Sequence, residues 1–205
     1  MKQAMKQSTV TRAGVAGLVL LALGTFGSVT YSQGATRELQ DAVAVADASK
    51  DAALRVSASS AMLTDKVREY AVLLDPEDLE TYWTEVQVTR SRAAAIAALE
   101  ELGTPEDELA LIEEGSANSE ALVDTETRAM RLLLEAQKIP KADMPGPVAE
   151  YVLPAADAGL APGAKIELAR QLVFNRAYDA EVVKVMTPIS EFQTRLRERV
   201  DREVS

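Results

Sequence analysis

An uninterrupted heptad repeat in the first third of the chain constrains the fold most. Apolar or small residues recur there at alternating spacings of three and four over eleven successive positions. Such spacing places all these side chains along one stripe of an α-helix. It predicts a single helix over 36–74, about 60 Å long at about 1.5 Å per residue. The positions are Leu39, Ala42, Ala46, Ser49, Ala53, Val56, Ser60, Leu63, Val67, Tyr70 and Leu74.

Helix-start signals and helical periodicity predict three further helices. Asp-Pro and Thr-Pro pairs each combine an N-cap residue with proline at a first helical position. They predict helices over 76–102 and 105–137. A proline-rich excursion occupies 138–163, and a last helix runs from 164 to the C-terminus, where Pro188 predicts a kink. Because the first two connections are short, neighbouring helices should be antiparallel.

The N-terminus predicts a membrane anchor. Residues 13–31 carry no charge over 19 positions, enough to span a hydrocarbon core, and Lys2, Lys6 and Arg12 precede them. The positive-inside tendency then keeps 1–12 in the cytoplasm and exports the rest. A cleaved signal peptide is the alternative, and it also places the rest outside the cytoplasmic membrane. The predicted fold class is all-α: a transmembrane helix at 13–32, then an antiparallel up-down four-helix bundle over 36–205 with long first and last helices.

Composition excludes several function classes. The chain has no Cys and no His, which removes thiolate nucleophiles, Ser-His triads and metal sites built on those residues. We therefore predict no enzyme activity, no cofactor and no metal. The net charge is −10, and a surface this acidic argues against binding nucleic acid through phosphate contacts.

Four stretches together resemble a known family. They are "VREYAVLLDPEDLETYWTEV", "LEELGTPEDELALIEEGSANSEALVDTETRAM", "AYDAEVVKVMTPISEFQTRL" and the overlapping "FQTRLRERVD". In order and spacing they resemble the extracytoplasmic four-helix-bundle sensor domain of methyl-accepting chemotaxis receptors, which also precedes histidine kinase and diguanylate cyclase modules. The resemblance implies a ligand-sensing ectodomain of a bacterial inner-membrane receptor, which binds a small molecule or a periplasmic binding protein.

Two other expectations concern assembly and architecture. The small residues in the first seam predict close helix approach and a homodimer through the first helix. Family members continue into a second span and an output module, whereas this sequence stops at Ser205. Both a fragment and a single-pass protein fit that pattern. The alternative function is a membrane-anchored helical scaffold or interaction protein with no ligand.

A glutamate within the third helix marks the candidate site. Glu126 lies on an apolar seam, where a buried carboxylate is costly unless it is paired. Counting outward from the turns near 75 and 104 places several polar and aromatic residues at its height. Two interpretations stay open: a structural layer in which Glu126 pairs with an arginine, or a ligand pocket of undetermined ligand charge. The candidate site residues are Arg68, Tyr70, Trp83, Glu126, Gln171, Asn175 and Tyr178.

Overall fold

The structure, a computed structural model, describes residues 40–204. These residues fall into two units, 40–46 with 203–204 and Asp47–Arg202, and the candidate site lies in the second. Every regular element in the described range is helical and none is a strand, which confirms the all-α prediction. The predicted cytoplasmic segment 1–12 and transmembrane helix 13–32 lie outside the described residues. Within 40–204, none of the helices combines the length and apolar character needed to cross a bilayer.

The helices are numbered in chain order. Helix α1 occupies 40–73. It is followed by α2 (Pro76–Thr84), a π-helical turn (Glu85–Thr89), α3 (Ser91–Glu101), α4 (Glu106–Ala136), a 3-10 turn (Lys141–Asp143), α5 (Gly146–Glu150), α6 (Ala155–Ala158), α7 (Pro162–Val173) and α8 (Arg176–Val204).

The predicted start of the second helix is confirmed. The Asp75 side chain accepts a hydrogen bond from the backbone N–H of Glu77 at 3.0 Å, with Pro76 at the first helical position. The start of α4 differs from the prediction, because Pro105 occupies its N-cap position. The Thr104 hydroxyl, which the sequence assigns to that cap, is buried with no hydrogen-bond partner among the described residues.

Two of the predicted long helices are interrupted. The second passes through the π-helical turn to Arg90, whose φ of 46° and ψ of 41° are left-handed. The last is interrupted at 174–175 and restarts at α8, where the Asn175 side chain accepts hydrogen bonds from the backbone N–H groups of Ala177 and Tyr178. Asparagine is a favoured N-cap residue, so this restart has a local cause. Helix α8 then continues without interruption through Pro188, where the sequence predicts a kink.

Hydrogen bonds between helices fix their relative directions. Arg68 of α1 donates to the carboxylate of Asp179 in α8, and Gln193 of α8 donates to the carbonyl oxygen of Ala53 in α1 at 3.2 Å. Residue numbers rise along α8 as they fall along α1, so the two helices run antiparallel there. Helices α4 and α8 are also antiparallel, by the bonds from Asn118 to the Lys184 carbonyl and from Arg199 to Glu108.

One glycine permits a close approach between α4 and α8. A Cβ atom built on Gly115 would lie 2.8 Å from Cγ1 of Ile189 and 3.0 Å from the carbonyl oxygen of Val185. Most seam positions of α1 are buried, which confirms that part of the predicted core; they include Ala53, Val56, Leu63, Val67 and Tyr70. Helix α8 also buries one stripe, formed by Tyr178, Val185, Ile189, Phe192 and Leu196.

Candidate functional site

A cavity of about 240 Å³ lies between α1, the π-helical turn, α3, α4 and α8. It has room for roughly ten non-hydrogen atoms, since a cavity of about 150 Å³ can hold benzene. Apolar and polar side chains share the wall, as they do in small-molecule sites. The apolar members are Leu63, Val86, Ala93, Ile96, Leu122, Val123 and Val185; the polar members are Ser59, Ser60, Thr64, Glu85, Arg90, Arg92, Ser116, Ser119, Glu120 and Glu126.

Glu126 is held by two tyrosine hydroxyls. It is 3% exposed, and the hydroxyls of Tyr82 from α2 and Tyr178 from α8 donate to its two carboxylate oxygens, the latter at 2.6 Å. The three residues join three helices through one buried carboxylate. Two neutral donors therefore take the place of the arginine that the structural-layer interpretation assigns to Glu126.

Burial dominates the ionisation of this cluster. It raises the pKa of Glu126, although the two tyrosine hydroxyls and the charges of Arg68 and Arg92 act in the opposite direction. Burial and the neighbouring carboxylate also raise the pKa values of Tyr82 and Tyr178. Both hydroxyls thus stay protonated and serve as donors at ordinary pH.

Arg68 supports the cluster from the side of α1. Its guanidinium carbon lies 5.0 Å from the ring centroid of Tyr178 and 5.5 Å from that of Phe174, in cation–π geometry. It also donates to the Val173 carbonyl and to Asp179. These contacts tie Arg68 to the junction of α7 and α8 and hold the Tyr178 ring in place.

A second buried glutamate organises the π-helical turn. Glu85 is 7% exposed and accepts four hydrogen bonds: one each from the Ser59 and Thr89 hydroxyls and two from the hydroxyl and backbone N–H of Ser91. Its carboxylate thereby caps the N-terminus of α3 and links it to α1. Burial raises the pKa of Glu85, but these hydrogen bonds outweigh it and the net shift is downward.

Arg92 is the unusual cation of the wall. It lies in the first turn of α3, and its Nη1 atom is buried with no hydrogen-bond partner among the described residues. Burial lowers its pKa, opposed by the charges of Glu120, Glu85, Tyr82 and Glu126. A buried guanidinium nitrogen without an acceptor is costly. Because Nη1 has almost no accessible surface, a ligand in the cavity would meet Nε and Nη2 of Arg92 instead.

The structure brings three of the seven predicted site residues into one cluster. Arg68, Glu126 and Tyr178 are in contact or electrostatically coupled, whereas the other four have separate roles. The Trp83 ring packs edge-on to Tyr82, with 5.1 Å between ring centroids, and its Nε1 is buried without a partner in the part of the chain that the structure describes. The remaining residues form other hydrogen bonds: Tyr70 with Gln137, Gln171 with Glu167, and Asn175 as the cap of α8.

Sequence reasoning missed Tyr82, Glu85 and Arg92. Counting residues from the turns selected Trp83 in α2, which is adjacent in sequence to the tyrosine that contacts Glu126. That error is within the precision of counting from a turn. No seam or motif singled out Glu85 or Arg92, because their roles depend on the π-helical turn.

Comparisons of the chain with protein-family models, with curated proteins and with solved structures found no match.

Proposed function

We propose that this chain is the ligand-sensing ectodomain of a bacterial transmembrane receptor, exported and anchored through residues 13–32. In this proposal α1, α2 with α3, α4, and α7 with α8 form the four members of an up-down bundle. The antiparallel contacts of α8 with α1 and α4 support that topology. The uncharged N-terminal stretch and the sequence resemblance to chemoreceptor sensor domains support the location and the role.

The observation that carries the proposal is the cavity between the helices. Bundles build ligand sites where side chains of facing helices converge. The wall of this cavity includes residues from four helices, among them Ser59, Arg92, Glu126 and Val185. A ligand in this space would contact all four helices and could bias their packing, and small shifts of packed helices are an established switching mode.

A homodimer through α1 is part of the proposal. Leu54, Val72 and Leu73 on this helix are 62%, 51% and 67% exposed. These exposed apolar side chains suit a helix that packs against a second copy. Most of the small seam residues, from which the sequence predicts the dimer, are buried within the chain and do not contribute to that surface.

A ligand-free scaffold is the second candidate, and one observation favours it. Glu126 and Glu85 both receive hydrogen bonds from the protein itself. Such satisfied polar groups also occur in structural layers that fix helix register.

A thermal screen with a cavity-filling variant separates the two candidates. We expect at least one small anionic, cationic or neutral compound to raise the melting temperature of the full chain. At a compound concentration 100 times its dissociation constant, the melting temperature should rise by about 5–10 °C. Ser119→Leu, which fills the cavity from α4, should abolish it, whereas Ser190→Leu on the exposed side of α8 should retain it. A rise that survives Ser119→Leu, or no rise with any compound, would favour the scaffold.

A further inference from the structure

We propose that the cavity binds a small organic carboxylate, with Arg92 as the residue that holds the carboxylate group. This inference rests on the proposed sensing function and adds the chemical class of the ligand. It follows from the hydrogen-bonding capacity that the cavity wall leaves unused.

Arg92 provides the unused donors. The Arg92 side chain lines the cavity, and its guanidinium donates no hydrogen bond to the described residues. Its Nη1 atom is fully buried, so Nε and Nη2 are the donors left for a ligand. Guanidinium groups match carboxylates in geometry and bind them through two parallel N–H···O bonds. An anion in the cavity would supply an acceptor for these two donors.

The acidic residues of the wall have less capacity left to bind a cationic ligand than their number suggests. Glu85 already accepts four hydrogen bonds, which matches the usual capacity of a carboxylate. Glu126 accepts two, and burial disfavours its charged form. Glu120 is exposed. A cationic ligand would in addition lie beside the Arg92 charge.

The rest of the wall limits the body of the ligand. Leu63, Ile96 and Leu122 provide apolar surface, while Ser60 and Ser119 provide hydroxyl groups. A body of a few carbon atoms, with or without a hydroxyl group, fits both surfaces and the volume of about 240 Å³. Acetate, lactate, succinate and benzoate sample this range of size and polarity.

Calorimetric titration of the full chain in detergent tests the proposal. The probes are those four carboxylates, the inorganic anions phosphate and sulfate, the amines methylamine and putrescine, and neutral glycerol. We expect at least one carboxylate to bind more tightly than the other probes. Arg92→Gln should weaken its binding by about 10- to 100-fold, the range for loss of a charge-assisted hydrogen bond. Arg92→Lys should weaken it less, because the charge remains but the planar fork is lost.

Arg55→Gln is the matched control. Arg55 is exposed on α1, pairs with Asp51 and lies outside the cavity wall, so its substitution should leave carboxylate affinity unchanged. Unliganded melting temperatures report whether each variant is folded.

The alternative outcomes distinguish the ligand class from the sensing function. Binding of an amine or glycerol that is lost in Ser119→Leu but kept in Arg92→Gln would overturn the carboxylate and leave the sensing cavity intact. Tighter binding of phosphate or sulfate than of every carboxylate would also overturn it, in favour of an inorganic anion. Carboxylate binding that Arg92→Gln does not weaken would overturn the role of Arg92. Absence of binding by every probe would overturn the carboxylate, and the broader thermal screen would then decide whether the cavity binds anything.

Discussion

Replacing Glu126 by alanine is expected to lower the free energy of unfolding by about 2–4 kcal/mol. The substitution leaves the hydroxyls of Tyr82 and Tyr178 without their acceptor in a buried position and creates a cavity where the side chain stood. Chemical denaturation of the full chain measures the change. Glu126→Gln should lose less than half as much, because an amide can accept from one hydroxyl and donate to the other.

The pH dependence of Glu126 has a defined sign. Burial raises its pKa in the folded state above the ordinary value of 4.5. Its contribution to stability is therefore fully present below about pH 4.5 and decreases as the pH rises through the raised pKa. The stability of the wild-type chain relative to Glu126→Gln should fall with rising pH. A relative stability that rises over this range would contradict the raised pKa.

Replacing Glu85 by alanine is expected to cost about 2–4 kcal/mol through a different mechanism. It removes the acceptor of four hydrogen bonds, including the one that caps α3 at Ser91. The net shift of the Glu85 pKa is downward, so its contribution is present above pH 4.5 and is lost as the pH falls through the lowered pKa. The stability of the wild-type chain relative to Glu85→Gln should therefore rise with pH, opposite to Glu126→Gln.

Glu120→Gln is the control for both glutamates. Glu120 lines the same cavity but is exposed, so its substitution should change the free energy of unfolding by less than about 0.5 kcal/mol. Equal pH dependence of Glu85→Gln and Glu126→Gln would contradict the distinct environments of these two glutamates.

Helical periodicity predicted the secondary structure where it continues over many turns. The seam of α1 is buried from Ser49 to Tyr70, because a repeat of seven residues leaves one stripe for the core. The start of α2 at Asp75-Pro76 could also be predicted from the sequence, because a helix cap depends only on residues within one turn.

The candidate site could be predicted only in part, because its decisive contacts join distant residues. Glu126 stood out as an acid on an apolar seam, but its partners Tyr82 and Tyr178 lie 44 and 52 positions away in sequence. The π-helical turn contains no proline or glycine from which it could be predicted. It is stabilised by the hydrogen bond between Ser59 and Glu85, which lie 26 positions apart in sequence. Seam counting assumes a regular helix, so it missed the break at Arg90 and selected Trp83 instead of Tyr82.

If the chain is a sensor, a ligand in the cavity should alter the packing of α8 against α1. The chain has no Cys, so Ala61→Cys on α1 and Ala180→Cys on α8, both exposed, would provide unique sites for two nitroxide labels. The distance between the labels is measured by pulsed electron paramagnetic resonance, with and without a saturating amount of the carboxylate probe that binds most tightly. A sensor should show a shift of about 1–2 Å in the distance distribution, the scale of known helix displacements in signalling. An identical distribution with the carboxylate bound would contradict the proposed sensing function.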